Sequence, residues 1–356
     1  MKYDSIIIGG GISGLVCGIK MLKAGKKVAI VSSGQSALHF NSGSIDLFGR
    51  KDGNDVKHPL DEIARVPEGH PYKKLGIDTV KKLIPEVKPL FAEAGITLVG
   101  KEDENHYRLT PTGIFKPAWM SMLDYVAVES AENLPWGKVA IINITGYLDF
   151  YPDFIERGLN QAGLECERRD FTIPELDTLR KSSTEMRATN IARFITGNVI
   201  KRFAAEVNRI VTETKADTVI MPAIIGLFDE EPVKLLKEQV KCPLYYVSTM
   251  PMSLCGMRAQ MRLRNHFQHL GGSYLLGDTV ASGEFDGSRL TSIRTVNLGD
   301  MTLEADQFVL ATGSFFSHGL EATPNKVFEP IFRLDVNVDG PRSGWCDIDL
   351  YNPQQY

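Results

Sequence analysis

The stretch Tyr3-Asp4-Ser5-Ile6-Ile7-Ile8-Gly9-Gly10-Gly11-Ile12-Ser13-Gly14 decides the fold. An apolar run of strand length ends at Gly9-x-Gly11-x-x-Gly14. Leu15 to Leu22 then reads as a helix with small Cys17 and Gly18 on one side. The order is strand, tight turn, helix. In such a unit the first glycine permits the turn, the second lets a phosphate approach the backbone, and the third lets helix and strand pack closely. Unsatisfied N–H groups and the dipole at the helix start then favour an anion.

A glycine turn alone is weak evidence, but Lys26-Lys27 leads into Val28-Ala29-Ile30-Val31, a second β-branched run at the spacing of a βαβ unit. This context favours a nucleotide or flavin phosphate on Gly9, Gly11 and Gly14 over an empty turn. The carboxylate that closes the second strand in such folds and holds a ribose 2′-hydroxyl is missing: the chain has Ser32-Ser33-Gly34-Gln35, and the next acid is Asp46. This argues against ordinary NAD binding and against a standard adenosine contact.

The segment from Gly34 to Asp46 is dense in small residues and hydroxyls and has no helical or strand period, so it is expected to be a loop beside the ligand. Ser32, Ser33, Gly34, Ser36, His39, Ser42 and Gly43 are its candidate cofactor contacts. His39 reads as a solvated or structural histidine, a hydrogen-bond partner of a flavin ring, or a covalent attachment point. Near the other end, Phe308-Val309-Leu310 reads as a buried strand that stops at Ala311-Thr312-Gly313-Ser314. Small residues at the carboxyl end of a parallel strand let the backbone approach a ligand. Thr312, Gly313 and Ser314 therefore join the candidates, with Val280 at the end of the Ser273–Val280 run.

The fold class is α/β, a Rossmann-like FAD/NAD(P)-binding fold with a parallel central sheet interrupted by an inserted α+β cap or substrate lobe. Residues 1–50 and 271–356 form the binding domain, which can also take in part of 138–250. Residues 51–137 and part of 138–270 form the insertion. Within it, Thr79 to Gly95 has helical spacing, with Pro85 and Pro89 expected to kink or divide the helix. Trp119, Met120 and Met122 read as core fillers. Lys138–Ile144, Glu165–Thr172, Thr218–Pro222 and Pro243–Val247 read as strands, the second without an assignable partner. Ser183 to Phe194 reads as a helix with Arg187, Asn190 and Arg193 on one side, either a solvated face or an anion-facing row. Ser253 to Leu270 reads as a long helix carrying Arg258 and capped by Gly271-Gly272.

The 356 residues allow two domains or one large body with an inserted lobe, and 43% hydrophobic with 24% charged residues are ordinary for a globular protein. A formal charge of −4 and the lack of a basic block argue against nucleic acid. No apolar run reaches transmembrane length, and the chain enters its first strand without a signal peptide, so a cytoplasmic location is expected. Cys17, Cys166, Cys242, Cys255 and Cys346 are far apart, odd in number and without C-x-x-C spacing, which indicates buried free thiols and no metal.

The first glycine motif paired with Phe308-Val309-Leu310-Ala311-Thr312-Gly313-Ser314 resembles the two-motif flavoprotein fold. The likeness narrows at Gly34–Phe40, Pro174–Asp177, Asn190–Phe194, Met221-Pro222-Ala223 and Gly313–Ser317, which together resemble the B-subunit family of bacterial anaerobic glycerol-3-phosphate dehydrogenases along the whole chain. The resemblance implies an FMN-containing protein, with FAD as the alternative, in a complex that oxidises sn-glycerol 3-phosphate to dihydroxyacetone phosphate and passes electrons to a quinone in anaerobic respiration. It implies an A subunit as the substrate oxidase and a membrane-bound, iron-sulfur C subunit, which would hold this chain at the inner face of the cell membrane. Members of the family are expected to continue past Tyr356 with a glycine-rich tail that completes the flavin site, so weak flavin binding is expected of a chain ending there. The absent acid after the second strand independently suits FMN, which has no adenosine ribose.

If this chain itself oxidised glycerol 3-phosphate, it would need a basic clamp and a base; His39, Arg187, Arg193 and Arg258 are the candidates. Two other readings predict different behaviour. A free-standing FAD oxidoreductase would bind FAD more tightly than FMN, and a non-redox scaffold would assemble the A and C subunits without transferring electrons.

Overall fold

The computed structural model describes residues 1–181, 186–250, 252–323 and 326–336, which group into two compact units. One comprises Met1–Leu38 and the described residues from Gln260 onward, and the other His39–Ala259. In the first unit the strand Lys2–Ile8 is central. It pairs in parallel with Val28–Ser32 on one side, Ile8 opposite Val31, and with Thr302–Leu310 on the other, Ile8 opposite Leu310. Ser273–Leu276 extends the parallel sheet beyond Val28–Ser32. Arg289–Thr295 and Val280–Asp286 continue it antiparallel beyond Thr302–Leu310.

Alternation along these strands separates two packing layers. Ile6, Ile8, Ala29, Val31, Leu303 and Ala305 join an apolar cluster on one face. Ile7 and Ile30 meet the helix Ile12–Lys23, which turns Gly14, Leu15, Gly18 and Ile19 inward. The helix Leu254–His269 adds Phe267, whose ring lies where a side chain on Gly18 or Gly272 would be. Its end is closed by Gly271, at φ +93°, whose N–H reaches the Gln268 carbonyl.

The second unit has its own parallel sheet, in the order Glu165–Phe171, Lys138–Ile144, Thr218–Pro222, Leu244–Val247. Lys138–Ile144 is therefore the partner of Glu165–Phe171 that sequence reasoning left unassigned. The Asp217 carboxylate ties the start of Lys138–Ile144 by accepting from the Gly137 and Lys138 N–H groups. Small antiparallel ribbons accompany this sheet: Ser44–Ile45, Met120–Met122 and Leu98–Val99 form one, and His106–Leu109 with Phe115–Ala118 another. Trp119, Met120 and Met122 are core residues, at most 3% exposed.

Two expected helices differ. Ile77–Glu93 runs unbroken through Pro85 and Pro89. Both prolines are exposed and lie four residues apart, so the carbonyls left without an N–H partner are on the solvent side. The helix expected from Ser183 to Phe194 is Ala188–Phe194 among the described residues, with Arg187 as its extended N-cap. Arg187 thus precedes the helix and does not form a row with Asn190; residues 182–185 and Cys346 lie outside the described residues. Among the described residues no helix is long and apolar enough to cross a membrane.

Because Phe267 is fully buried and packs where two glycines leave space, Phe267→Ala is expected to destabilise the protein by about 3–5 kcal/mol. Chemical denaturation measures this; a loss below about 1 kcal/mol would show that the helix does not rest on that ring.

Candidate functional site

The glycine turn is built by three contacts of different kinds. Gly9 sits at φ +116°, and a Cβ there would lie 2.2 Å from the Ala311 carbonyl oxygen. Its N–H donates to Val31 O at 2.8 Å, while the Ala311 N–H donates to Ile8 O at 2.8 Å, so strand pairing brings the two loops together. At Gly14 a Cβ would fall 2.0 Å from the Gly9 carbonyl oxygen, which makes glycine the condition for helix and strand to meet. Gly11 is different. Its backbone is extended, and the nearest atom to a Cβ is Ser36 Cβ at 3.7 Å, so no protein contact demands glycine there.

The helix starting at Ile12 has no side-chain cap and no acid in its first turn. Its positive end is therefore left without a counter-charge from its own sequence. Gly10 is also closely packed: a Cβ would meet Tyr274 Oη at 2.0 Å and Ser32 Oγ at 2.5 Å. Tyr274 supports this turn from a strand that sequence reasoning did not connect to it, since only sheet order makes them neighbours.

Structure brings together several candidates in this unit. Ser32 is buried, and its hydroxyl donates to Gly34 O at 3.0 Å; Ser33 is exposed and Gly34 half-buried. Ser36 Oγ accepts from the Leu38 N–H at 3.3 Å. Gly313, at φ +85°, turns the chain after Thr312, and Ser317 Oγ holds the turn by donating to Thr312 O at 2.8 Å; Gly313 and Ser314 are exposed. Val280 belongs instead to the apolar core cluster with Ile293 and Leu303, a position that packing alone explains.

The remaining candidates belong to the other unit. His39 is half-buried, its ring edge-on to Phe40, and loss of hydration lowers its pKa. Ser42 precedes Gly43, where a Cβ would overlap the Tyr125 ring. Arg187 is exposed, 3.9 Å from the Asp149 carboxylate. Arg258 corrects an expectation. It is fully buried, paired with Asp124 and donating to Gly226 O at 2.6 Å, so it serves the interior and is not free to clamp a substrate. Burial opposes its charge, but Asp124 and Cys255 outweigh that and hold the guanidinium above its ordinary pKa. Burial likewise pushes the Cys255 thiol up to about 12, with Asp124 adding to the shift, so it is an inert thiol. Cys17, Cys166 and Cys242 are also free, though only half-buried. Among the described residues no group of three His, Cys, Asp or Glu side chains could hold a metal. A groove of about 750 Å³ runs along the helix Pro152–Gln161 and contains no candidate residue.

Residues 4–356 match the family described as FAD binding domain, which defines the class: a flavin-binding α/β protein. That description favours FAD over the FMN expected from the sequence. The B subunit of anaerobic glycerol-3-phosphate dehydrogenase from Yersinia pestis bv. Antiqua (strain Antiqua) is 41% identical over all of this chain and 85% of its own length. The proteins of that name from Pectobacterium atrosepticum and Haemophilus influenzae (strain PittGG) are 37% and 34% identical, over 85% and 86% of their lengths. The chain belongs to the B-subunit family of anaerobic glycerol-3-phosphate dehydrogenases. Among solved structures, a 3-ketosteroid Δ1-dehydrogenase from Sterolibacterium denitrificans is similar at 14% identity and TM-score 0.39, covering 88% of this chain and 48% of that one.

The two glycines predict opposite results. Gly9→Ala is expected to cost at least about 2 kcal/mol of stability, because it adds strain at positive φ to a clash with Ala311. Gly11→Ala is expected to cost about 1 kcal/mol or less, the effect of alanine at an N-cap. Equal losses on denaturation would refute this division.

His106 supplies a pH test. It is buried with Nε2 2.7 Å from Ser121 Oγ, and desolvation, then Arg108 and Lys88, lowers its pKa to about 4. The unfolded chain takes up this proton near pH 6.5, so the contribution is complete above about 6.5 and is lost as pH falls towards about 4. The loss is on the order of 3 kcal/mol. His106→Gln should flatten this part of the stability profile, and an unchanged slope would contradict it.

Proposed function

We propose that the chain is the flavin-bearing component of an anaerobic glycerol-3-phosphate dehydrogenase, relaying electrons from the oxidation of sn-glycerol 3-phosphate to dihydroxyacetone phosphate towards a quinone. The relatives' names support the substrate and the role within a larger complex. One observation in this chain carries the flavin part: Gly9 and Gly14 are required by protein packing, whereas a Cβ at Gly11 would meet only Ser36 Cβ, at an uncrowded 3.7 Å. A phosphate can approach the backbone there against the uncapped start of the helix Ile12–Lys23.

The residues that would hold the cofactor are Gly9, Gly11 and Gly14 at its phosphate, Ser32, Ser33, Gly34 and Ser36 beside it, and Thr312, Gly313 and Ser314 from the second loop. His39, Ser42 and Gly43 are proposed as cofactor contacts on the sequence reading alone. A flavin, when bound, supplies the ability to accept two electrons together and release them singly. The chain's own part is to seat the phosphate with backbone N–H groups and to orient the cofactor with short hydroxyl side chains. We favour FMN because Ser32-Ser33-Gly34-Gln35 offers no carboxylate to an adenosine ribose; the family description favours FAD, and the experiment distinguishes them. Partnership with the A and C subunits, and a place at the inner membrane face through them, belong to the same proposal.

The test is the mass and absorbance spectrum of the ligand released on denaturing the purified protein. A flavin of FMN mass is expected, lost at least tenfold in Gly11→Glu, whose side chain would occupy the phosphate position and repel it. FAD mass would replace the FMN reading. No flavin after reconstitution with either cofactor would leave only the scaffold role.

A further inference from the structure

The ribbon of His106–Leu109 and Phe115–Ala118 places Arg108 directly opposite Lys116, with His106 opposite Ala118. Alternation puts His106, Arg108 and Lys116 on one face of this ribbon. Two cations opposite one another across a strand pair repel, and one carboxylate, Asp46, is the acid within the field of both. Neither side chain makes a hydrogen bond or ion pair among the described residues. Arg108 Nε is buried with no acceptor, as is Nε of Arg258, but Arg108 lacks the carboxylate and carbonyl partners that Arg258 has at its terminal nitrogens.

The surroundings define what would complement this pair. Asp46 lies within the field of both: desolvation raises its pKa while Arg108 and Lys116 pull it down, yet it forms no ion pair with either. Burial disfavours a charge on His106, whose Nε2 is engaged with Ser121 while its Nδ1 has no partner. Two positive side chains without a hydrogen-bonded partner thus share one face, within the field of one carboxylate that pairs with neither. A compact dianion answers the cations, and a hydroxyl on the same molecule answers the carboxylate.

We propose that Arg108 and Lys116 form a binding site for a small phosphomonoester, with Asp46 accepting a hydroxyl of the same ligand. The ligand's identity as glycerol 3-phosphate rests on the function proposed above; the location of the site rests on this ribbon alone. Arg108 supplies directional donors to the phosphoryl oxygens and Lys116 a point charge. Asp46 distinguishes a phosphorylated polyol from free phosphate.

Calorimetric titration of the full chain with sn-glycerol 3-phosphate, inorganic phosphate and glycerol tests this. Both phosphates are expected to bind and glycerol alone not to. Arg108→Gln and Lys116→Met should each weaken phosphate binding about tenfold or more, with flavin content and thermal midpoint unchanged, and Arg108→Lys should recover part of the loss. Asp46→Asn should weaken glycerol 3-phosphate more than inorganic phosphate. Lys101→Met, at an exposed lysine, should alter neither. If Arg108→Gln does not fold, Lys116→Met decides. Glycerol 3-phosphate binding that survives both substitutions would keep the substrate reading and overturn this site. Inorganic phosphate binding that depends on both residues, without glycerol 3-phosphate binding, would keep the site and overturn the substrate reading. No phosphate binding to the wild-type chain would overturn the site.

Discussion

The binding unit depends on one strand having the correct neighbours on both sides. Lys2–Ile8 is held between Val28–Ser32, close in sequence, and Thr302–Leu310, from the far end of the chain. The second pairing closes a very long loop, and the apolar contacts of Ile6 and Ile8 with Leu303 and Ala305 offset part of that entropy. It also builds the turn. Gly9 can take its positive φ only because it lacks a Cβ, and the atom it must avoid belongs to Ala311, delivered by the distant strand.

Glycine has different causes within a single motif. Gly14 is needed so that the helix can rest on the Gly9 carbonyl, Gly10 so that Tyr274 and Ser32 can close beneath the turn, and Gly9 for both conformation and contact. Gly11 has none of these reasons. What sets Gly11 apart is its place: packing does not require glycine there, and it caps the helix Ile12–Lys23 at the end of the first strand's turn, where a phosphate can approach the backbone.

The inserted unit handles charge in two ways. Arg258 is committed: Asp124 and the Gly226 carbonyl take its two terminal nitrogens in the interior, where an unpaired guanidinium would be costly. Arg108 has no hydrogen-bonded acceptor for its side chain and is set opposite another cation, with the Asp46 carboxylate acting on it only through its field. The two arginines look equivalent in a list of basic residues, but their surroundings separate a structural role from a binding one.

The sequence by itself determined the glycine turn, the strand that ends at Ala311-Thr312-Gly313, the long capped helix and the core character of Trp119, Met120 and Met122, because local periodicity and backbone permissiveness are written in neighbouring residues. It also carried the family resemblance through several separated motifs. Only the tertiary structure decided that Tyr274 supports Gly10, that Glu165–Phe171 pairs with Lys138–Ile144, that Pro85 and Pro89 sit harmlessly on a solvent face, and which arginine is sealed inside. Those outcomes depend on strand order and burial, and on partners far away in the chain, which no local pattern of residues specifies.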